Sequence, residues 1–313
     1  MVALAVLVPT GSAVAVLDGV GSCQDSRLND FHSTWDNAAQ DLKNADTKWV
    51  PQGLAYYPAR DWFIVSSYDF EEPKKASILD IYRRTSSDHV RTSFDHAKRL
   101  RLPVGSIAAG GHVGGLAVGK GNLYVANTSA GVSRVHRISV ATLESAADDT
   151  TVRVDASFRT EAASYAAFFN GNLFVGSFDN NRLYRYDIEA SGSPPFDPVT
   201  LRYRVAASWS TPSVVQGLEV TADEFFFSRS SGRENMSAIT VRDRSGQRAD
   251  KSHNIRNMSE GIVFATMAYG VGETTGLYTL FESTSKKFGP EGDGGNPPTC
   301  RSHRVWFRTR VSL

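Results

Sequence analysis

Gln52-Gly53-Leu54-Ala55-Tyr56, then Trp62-Phe63-Ile64-Val65, then Ile78-Leu79-Asp80-Ile81-Tyr82 is the stretch whose reading decides the fold. A small residue opens an apolar run, a short turn follows, and two further apolar runs come after it. The cassette returns as Gly114-Gly115-Leu116-Ala117-Val118 with Leu123-Tyr124-Val125-Ala126 and Val135-His136-Arg137-Ile138. A third copy is Ser164-Tyr165-Ala166-Ala167-Phe168 with Leu173-Phe174-Val175-Gly176 and Leu183-Tyr184-Arg185-Tyr186. The fourth is Gln216-Gly217-Leu218-Glu219-Val220 with Phe225-Phe226-Phe227-Ser228 and Ala238-Ile239-Thr240-Val241. The fifth is Glu260-Gly261-Ile262-Val263-Phe264 with Leu277-Tyr278-Thr279-Leu280.

A period near 50 residues built from short strands is the mark of propeller blades. Gly119-Lys120-Gly121-Asn122 and Asn170-Gly171-Asn172 supply the positive φ that tight hairpins need. Outer strands are expected near Val90–Phe94, Thr151–Phe158 and Arg202–Trp209. The fold class is therefore all-β, a five-bladed β-propeller, preceded by a short helical segment. Leu28, Phe31, Trp35, Ala38 and Leu42 recur every three or four residues and predict one amphipathic helix within 24–48. Arg304–Arg308 is a strand of the last blade, third or fourth in its sheet.

The ends of the chain fit export. Residues 1–22 read as a leader whose basic start lies upstream, with Ala13-Val14-Ala15 as a cleavage-like stretch, and 23–313 as one propeller domain. Cys23 and Cys300 lie near the two ends and are placed to bridge and tie a ring together. The expected location is extracellular, the expected state a monomer. Lys and Arg number 34 against 33 Asp and Glu, so no field draws in nucleic acid. No run is long and apolar enough for a helical membrane span.

Propeller geometry turns the repeat into a site map. Inner strands start, and second strands end, on one face around the axis. Their residues converge there as Gln52, His112, Ser164, Gln216 and Glu260 from the starts, and Tyr68, Asp69, Asn127, Asp179, Arg229 and Glu282 from the ends. A polar mouth on an apolar scaffold is a binding site by default. Glu260 is the expected general acid or base and His112, ringed by glycines, its proton partner. Gln52, Tyr68, Ser164, Gln216, Arg229 and Arg233 are expected to hold the ligand, the amides by paired donors and acceptors, the arginines by clamping an anion. Glu260 paired to Arg229 as an inert ion pair is the competing reading. Asp69, Asn127 and Asp179, with Glu260, are candidate ligands for Ca²⁺ or another divalent cation in the channel; no cofactor is required.

Gln52-Gly53-Leu54, Ser66-Ser67-Tyr68 and Glu260-Gly261-Ile262 resemble blade starts of secreted five-bladed propellers of the plant and bacterial glutaminyl cyclotransferase type. That resemblance implies a metal-bearing scaffold whose glutamate and glutamine at a central mouth close an N-terminal glutamine into pyroglutamate. The matching glutamate stands here in the last blade, and the family's tryptophan-lined pocket has no counterpart. Blade three, Tyr165–Ile188, is similar to olfactomedin-type blades, which are extracellular interaction domains. The chain also resembles secreted, uncharacterised actinobacterial propellers. The expected function is an extracellular enzyme of cyclotransferase, lyase or hydrolase type. It would act on a small-molecule or peptide substrate by acid–base chemistry. The alternative is a non-catalytic extracellular binding propeller with a structural ion.

Overall fold

The computed structural model describes residues 23–37, 41–88, 91–108, 110–129, 131–198, 202–269, 272–290, 292–298 and 300–309; the expected leader lies outside them. Five antiparallel sheets follow one another round an axis. Blade 1 runs outward through Trp49–Tyr57, Trp62–Asp69, Ile78–Asp88 and Arg91–Arg101, with Thr150–Thr151 added in parallel at its edge. Blade 2 is His112–Gly119, Asn122–Ser129, Val132–Ser139 and Ala156–Arg159. Blade 3 is Tyr165–Phe169, Asn172–Ser177, Arg182–Asp187 and Ala207–Ser210. Blade 4 is Val215–Val220, Glu224–Arg229, Ser237–Asp243 and Lys251–Ile255. The hairpin glycines do what the sequence asked of them: Lys120-Gly121 and Asn170-Gly171 all take positive φ.

Blade 5 is assembled from both ends of the chain. Ser259–Tyr269, Gly272–Phe281 and Trp306–Thr309 are its first three strands, and Asp36–Asn37 pairs with Phe307 and Trp306 as the fourth. The C-terminal strand is thus third in its sheet. Cys23 and Cys300 form a disulfide with Cα atoms 4.8 Å apart.

The expected short N-terminal helical segment is present, and that closure ends it well before Leu42. Only Ser26–Leu28, a 3₁₀ turn, and Asn29–Thr34, a short α-helix, are helical. Trp35 already takes extended geometry because the residues after it are needed as a strand. The apolar spacing was real, but it serves a plug: Leu28, Phe31 and Trp35 pack on Trp306 and Phe281 of blade 5 and Phe226 of blade 4. Arg202–Tyr203 likewise leaves blade 3 to pair with Phe196–Asp197, so the outer strand there begins only at Ala207.

The core lies between blades. Each sheet presents alternate residues to the neighbour on either side, and five apolar layers result. Ile64 and Ile81 meet Leu116 and Val125 between blades 1 and 2, for example, and Phe227 and Leu218 meet Phe174 between blades 4 and 3. Each Phe or Leu buried this way contributes roughly 1.5–3 kcal/mol. Such layers fix where the inner strands, and hence the mouth residues, stand.

Candidate functional site: the mouth of the channel

Four inner strands break their pairing at the same point. The ladder skips between Pro51 and Leu54, His112 and Gly115, Val215 and Gly217, and Ser259 and Ile262. A bulge frees a residue from the ladder and re-aims its side chain. The freed residues include Gln52, Gln216 and Glu260. The glycine beside each bulge lets blades touch backbone to backbone: a Cβ on Gly115 would stand 2.3 Å from the Ala166 nitrogen, and one on Gly261 would stand 2.4 Å from that of Leu54. No side chain fits at those points.

Around the junction of blades 5, 1 and 2 the freed side chains form one polar cluster. The Gln52 amide nitrogen donates to the Pro51 carbonyl at 2.9 Å and to Glu282 Oε2 at 3.2 Å. Gln52 and Glu260 are both about 1% exposed, and Oε1 of each has no hydrogen-bond partner. Lys287 Nζ donates to the Tyr68 hydroxyl at 2.8 Å and lies over the Tyr68 and Phe288 rings. The His112 ring packs on Tyr68 with centroids 4.9 Å apart. Arg233 stacks on Phe288, donates to the Asn296 carbonyl and pairs with Asp293.

The cluster shifts its own acidities. Burial pushes the Glu260 carboxyl well above the usual carboxylate range; the charge of Glu282 adds to this and Lys287 opposes it. Glu282, half-buried, is pushed up to about 7 by burial against the pull of Lys287, the Gln52 amide and Arg233. Water reaches the His112 ring, yet protein crowds round it. That crowding, with the Lys287 ammonium, lowers its pKa to about 4. The site therefore combines two acids shifted toward their protonated forms with an imidazole shifted toward its neutral form.

Of the expected site residues, Gln52, Tyr68, His112, Glu260 and Arg233 belong to this cluster. Ser164 and Gln216 stand at the same strand starts in blades 3 and 4. Ser164 spends its hydroxyl on the Phe178 N–H, within its own blade. Gln216 is half-buried at its bulge. Arg229 is not a ligand clamp beside Glu260. Its guanidinium donates to the Ser213 carbonyl at 3.0 Å and to Ser213 Oγ at 3.3 Å, so the inert ion pair with Glu260 does not form. The reason is strand alternation: Ser228 points to blade 5, where it bonds Ser259, and its neighbour Arg229 points the other way.

The cation set is corrected too. Asp69 is fully buried against Lys48, Asn127 spends its amide on the His112 carbonyl, and Asp179 is exposed. Among the described residues no three His, Cys, Asp or Glu side chains are grouped to hold a metal. Asp69, Asn127 and Asp179 therefore do not act together with Glu260 as the expected ligand set. What the sequence left without a role is Glu282, Lys287 and Phe288. They sit in the 3₁₀ turns Glu282–Thr284 and Lys286–Phe288, directly after the second strand of blade 5.

No family model matches the chain, and no curated protein does. Solved structures do. Myxococcus xanthus glutaminyl cyclase aligns over 87% of this chain and 97% of its own at 12% identity and TM-score 0.45. The PQQ-bound aldose sugar dehydrogenase of Streptomyces coelicolor aligns over 88% and 99% at 14% identity and TM-score 0.46. A thermostable family-43 glycoside hydrolase aligns over 86% and 92% at 7% identity and TM-score 0.41. The likeness is one of propeller fold.

Proposed function

We propose that the mouth is the active site of an extracellular enzyme acting by acid–base chemistry on a small polar or peptide-like ligand. One observation carries the reading: two carboxyls shifted toward their protonated forms and an imidazole shifted toward its neutral form gather round Tyr68 and Lys287, with two buried acceptor oxygens left without partners. A buried polar atom without a partner costs free energy, and a ligand N–H or O–H would recover it. Glu260, beneath the surface, is shifted toward its protonated form by burial and by the charge of Glu282. Glu282, titrating near neutrality and only half-buried, gives or takes the proton at the ligand. His112 accepts a proton without first having to lose one. Lys287 and Tyr68 hold the developing charge, and Gln52 orients the ligand through its carbonyl.

The test is a panel of N-terminal glutamine peptides, lactones and glycosides, offered to the wild type and to Glu282→Gln and Glu260→Gln. A positioned acid–base group contributes roughly a hundredfold or more. Turnover of one class by the wild type, lost by about that factor in Glu282→Gln, is the expected result. Equal turnover in all three proteins would overturn the reading. A ligand that binds through Gln52 and is never consumed would make the mouth a binding module instead.

A further inference from the structure

The other end of the same axis holds a second concavity. Three residues beyond each mouth position, about 10 Å along an extended strand, all five inner strands line a cavity of about 170 Å³. Most of its lining side chains are apolar, Tyr56, Val118, Phe168 and Phe264 among them, one is an acid, Glu219, and its exposed lining mixes polar and apolar atoms. Phe168, Val118 and Phe264 are only half-buried, so the cavity opens to water on the face away from the mouth.

Glu219 is held in place by backbone. Its Oε1 accepts from the Val220 N–H at 2.9 Å and its Oε2 from the Phe264 N–H at 3.1 Å, which joins blades 4 and 5. No ion pair to Glu219 occurs among the described residues. The site is thus a fixed carboxyl without a counter-ion, in an aromatic and aliphatic funnel. Burial pushes its pKa up to about 7, as an uncompensated charge in an apolar wall requires.

We propose that this far funnel is a second binding site, for a small hydrophobic cation whose ammonium sits on Glu219 and whose apolar body fills the cavity. The volume suits one ring, since an apolar cavity of about 150 Å³ takes up benzene. The site is separate from the mouth in position and in chemistry: several titratable side chains gather there, and a single acid stands among mostly apolar side chains here.

Benzylammonium and benzyl alcohol have nearly the same shape and differ in charge. Titration calorimetry on the wild type at about pH 8 should show benzylammonium binding at least roughly tenfold more tightly, the scale of one partly desolvated charge contact. Glu219→Gln should bring the two probes within about twofold. Val118→Phe, on the half-buried rim, should weaken both without touching the acid, and it serves if Glu219→Gln fails to fold. Glu282→Gln should leave benzylammonium binding as it was. Equal affinity of the two probes for the wild type overturns the proposal. So does benzylammonium binding unchanged by both funnel variants, or lost in Glu282→Gln.

Discussion

The acids on the axis make stability depend on pH in an unusual sense. Glu282 has its pKa raised from 4.5 to about 7, and Glu260 is raised as well. Between those values the folded state keeps a proton that the unfolded chain has released. Stability is therefore greatest below about pH 4.5, as far as these groups go, and falls as pH climbs toward 7. Melting temperature should drop from about pH 5 to about pH 8, and Glu282→Gln should flatten that slope. Parallel melting curves for the two proteins would show that burial does not shift this acid. Glu260→Gln should not lower the melting temperature, because Arg229 is engaged with Ser213 and no arginine is left orphaned. A loss of about 3–5 kcal/mol, the usual result of breaking a buried pair, would point to a cation partner for Glu260 after all.

At the scale of the element, bulge and glycine work together. The bulge frees a polar side chain, and the neighbouring glycine lets the next inner strand close in until no Cβ fits. Gly115→Ala would press a methyl into the Ala166 backbone at 2.3 Å, whereas Gly105→Ala meets nothing within 4 Å and has ordinary φ. Gly115→Ala should cost at least about 1–3 kcal/mol in urea denaturation, and Gly105→Ala close to nothing. Equal effects would mean the inner ring has room to spare. A different element-level contact secures blade 1: buried Asp80 accepts from Asn44 at 2.6 Å, His96 at 2.8 Å and Arg99 at 2.9 Å. It fastens the incoming N-terminal segment to the third and fourth strands. Asp80→Asn strips that buried cluster of its charge and should destabilise by about 3–5 kcal/mol.

For the whole molecule, the five cassettes were legible because strand period, turn glycines and the polar-glycine start are local properties. Gln52 and Glu260 were legible for the same reason, since each belongs to the cassette. Lys287 and Phe288 were not, because they lie in turns outside the repeat that pack back over Tyr68. Arg229 misled because one residue along a strand reverses direction. Ring closure was half legible: the cysteines pointed to it, but nothing local marks Asp36–Asn37 as a strand. The disulfide spans a sequence separation of 277. Replacing Cys23 and Cys300 by Ser should lower stability by about 5–6 kcal/mol in the chain-entropy account. Denaturation of that double variant beside the oxidised protein measures it, and coincident curves would leave the bridge without a stabilising role.

The seam in blade 5 also sets an order of events during synthesis. Asp36–Asn37 leave the ribosome long before their partners Phe307 and Trp306 are made. Four blades can form while the nascent chain is still growing, but the fifth sheet waits for its third strand. Until then Leu28, Phe31 and Trp35 lack the Trp306 surface that covers them, and the strand Gly272–Phe281 presents an unpaired edge. Pairings this distant in sequence form slowly, and an open edge beside bare aromatic rings invites pairing with another chain. The interval before Trp306 and Phe307 arrive is when blade 5 is most exposed to aggregation.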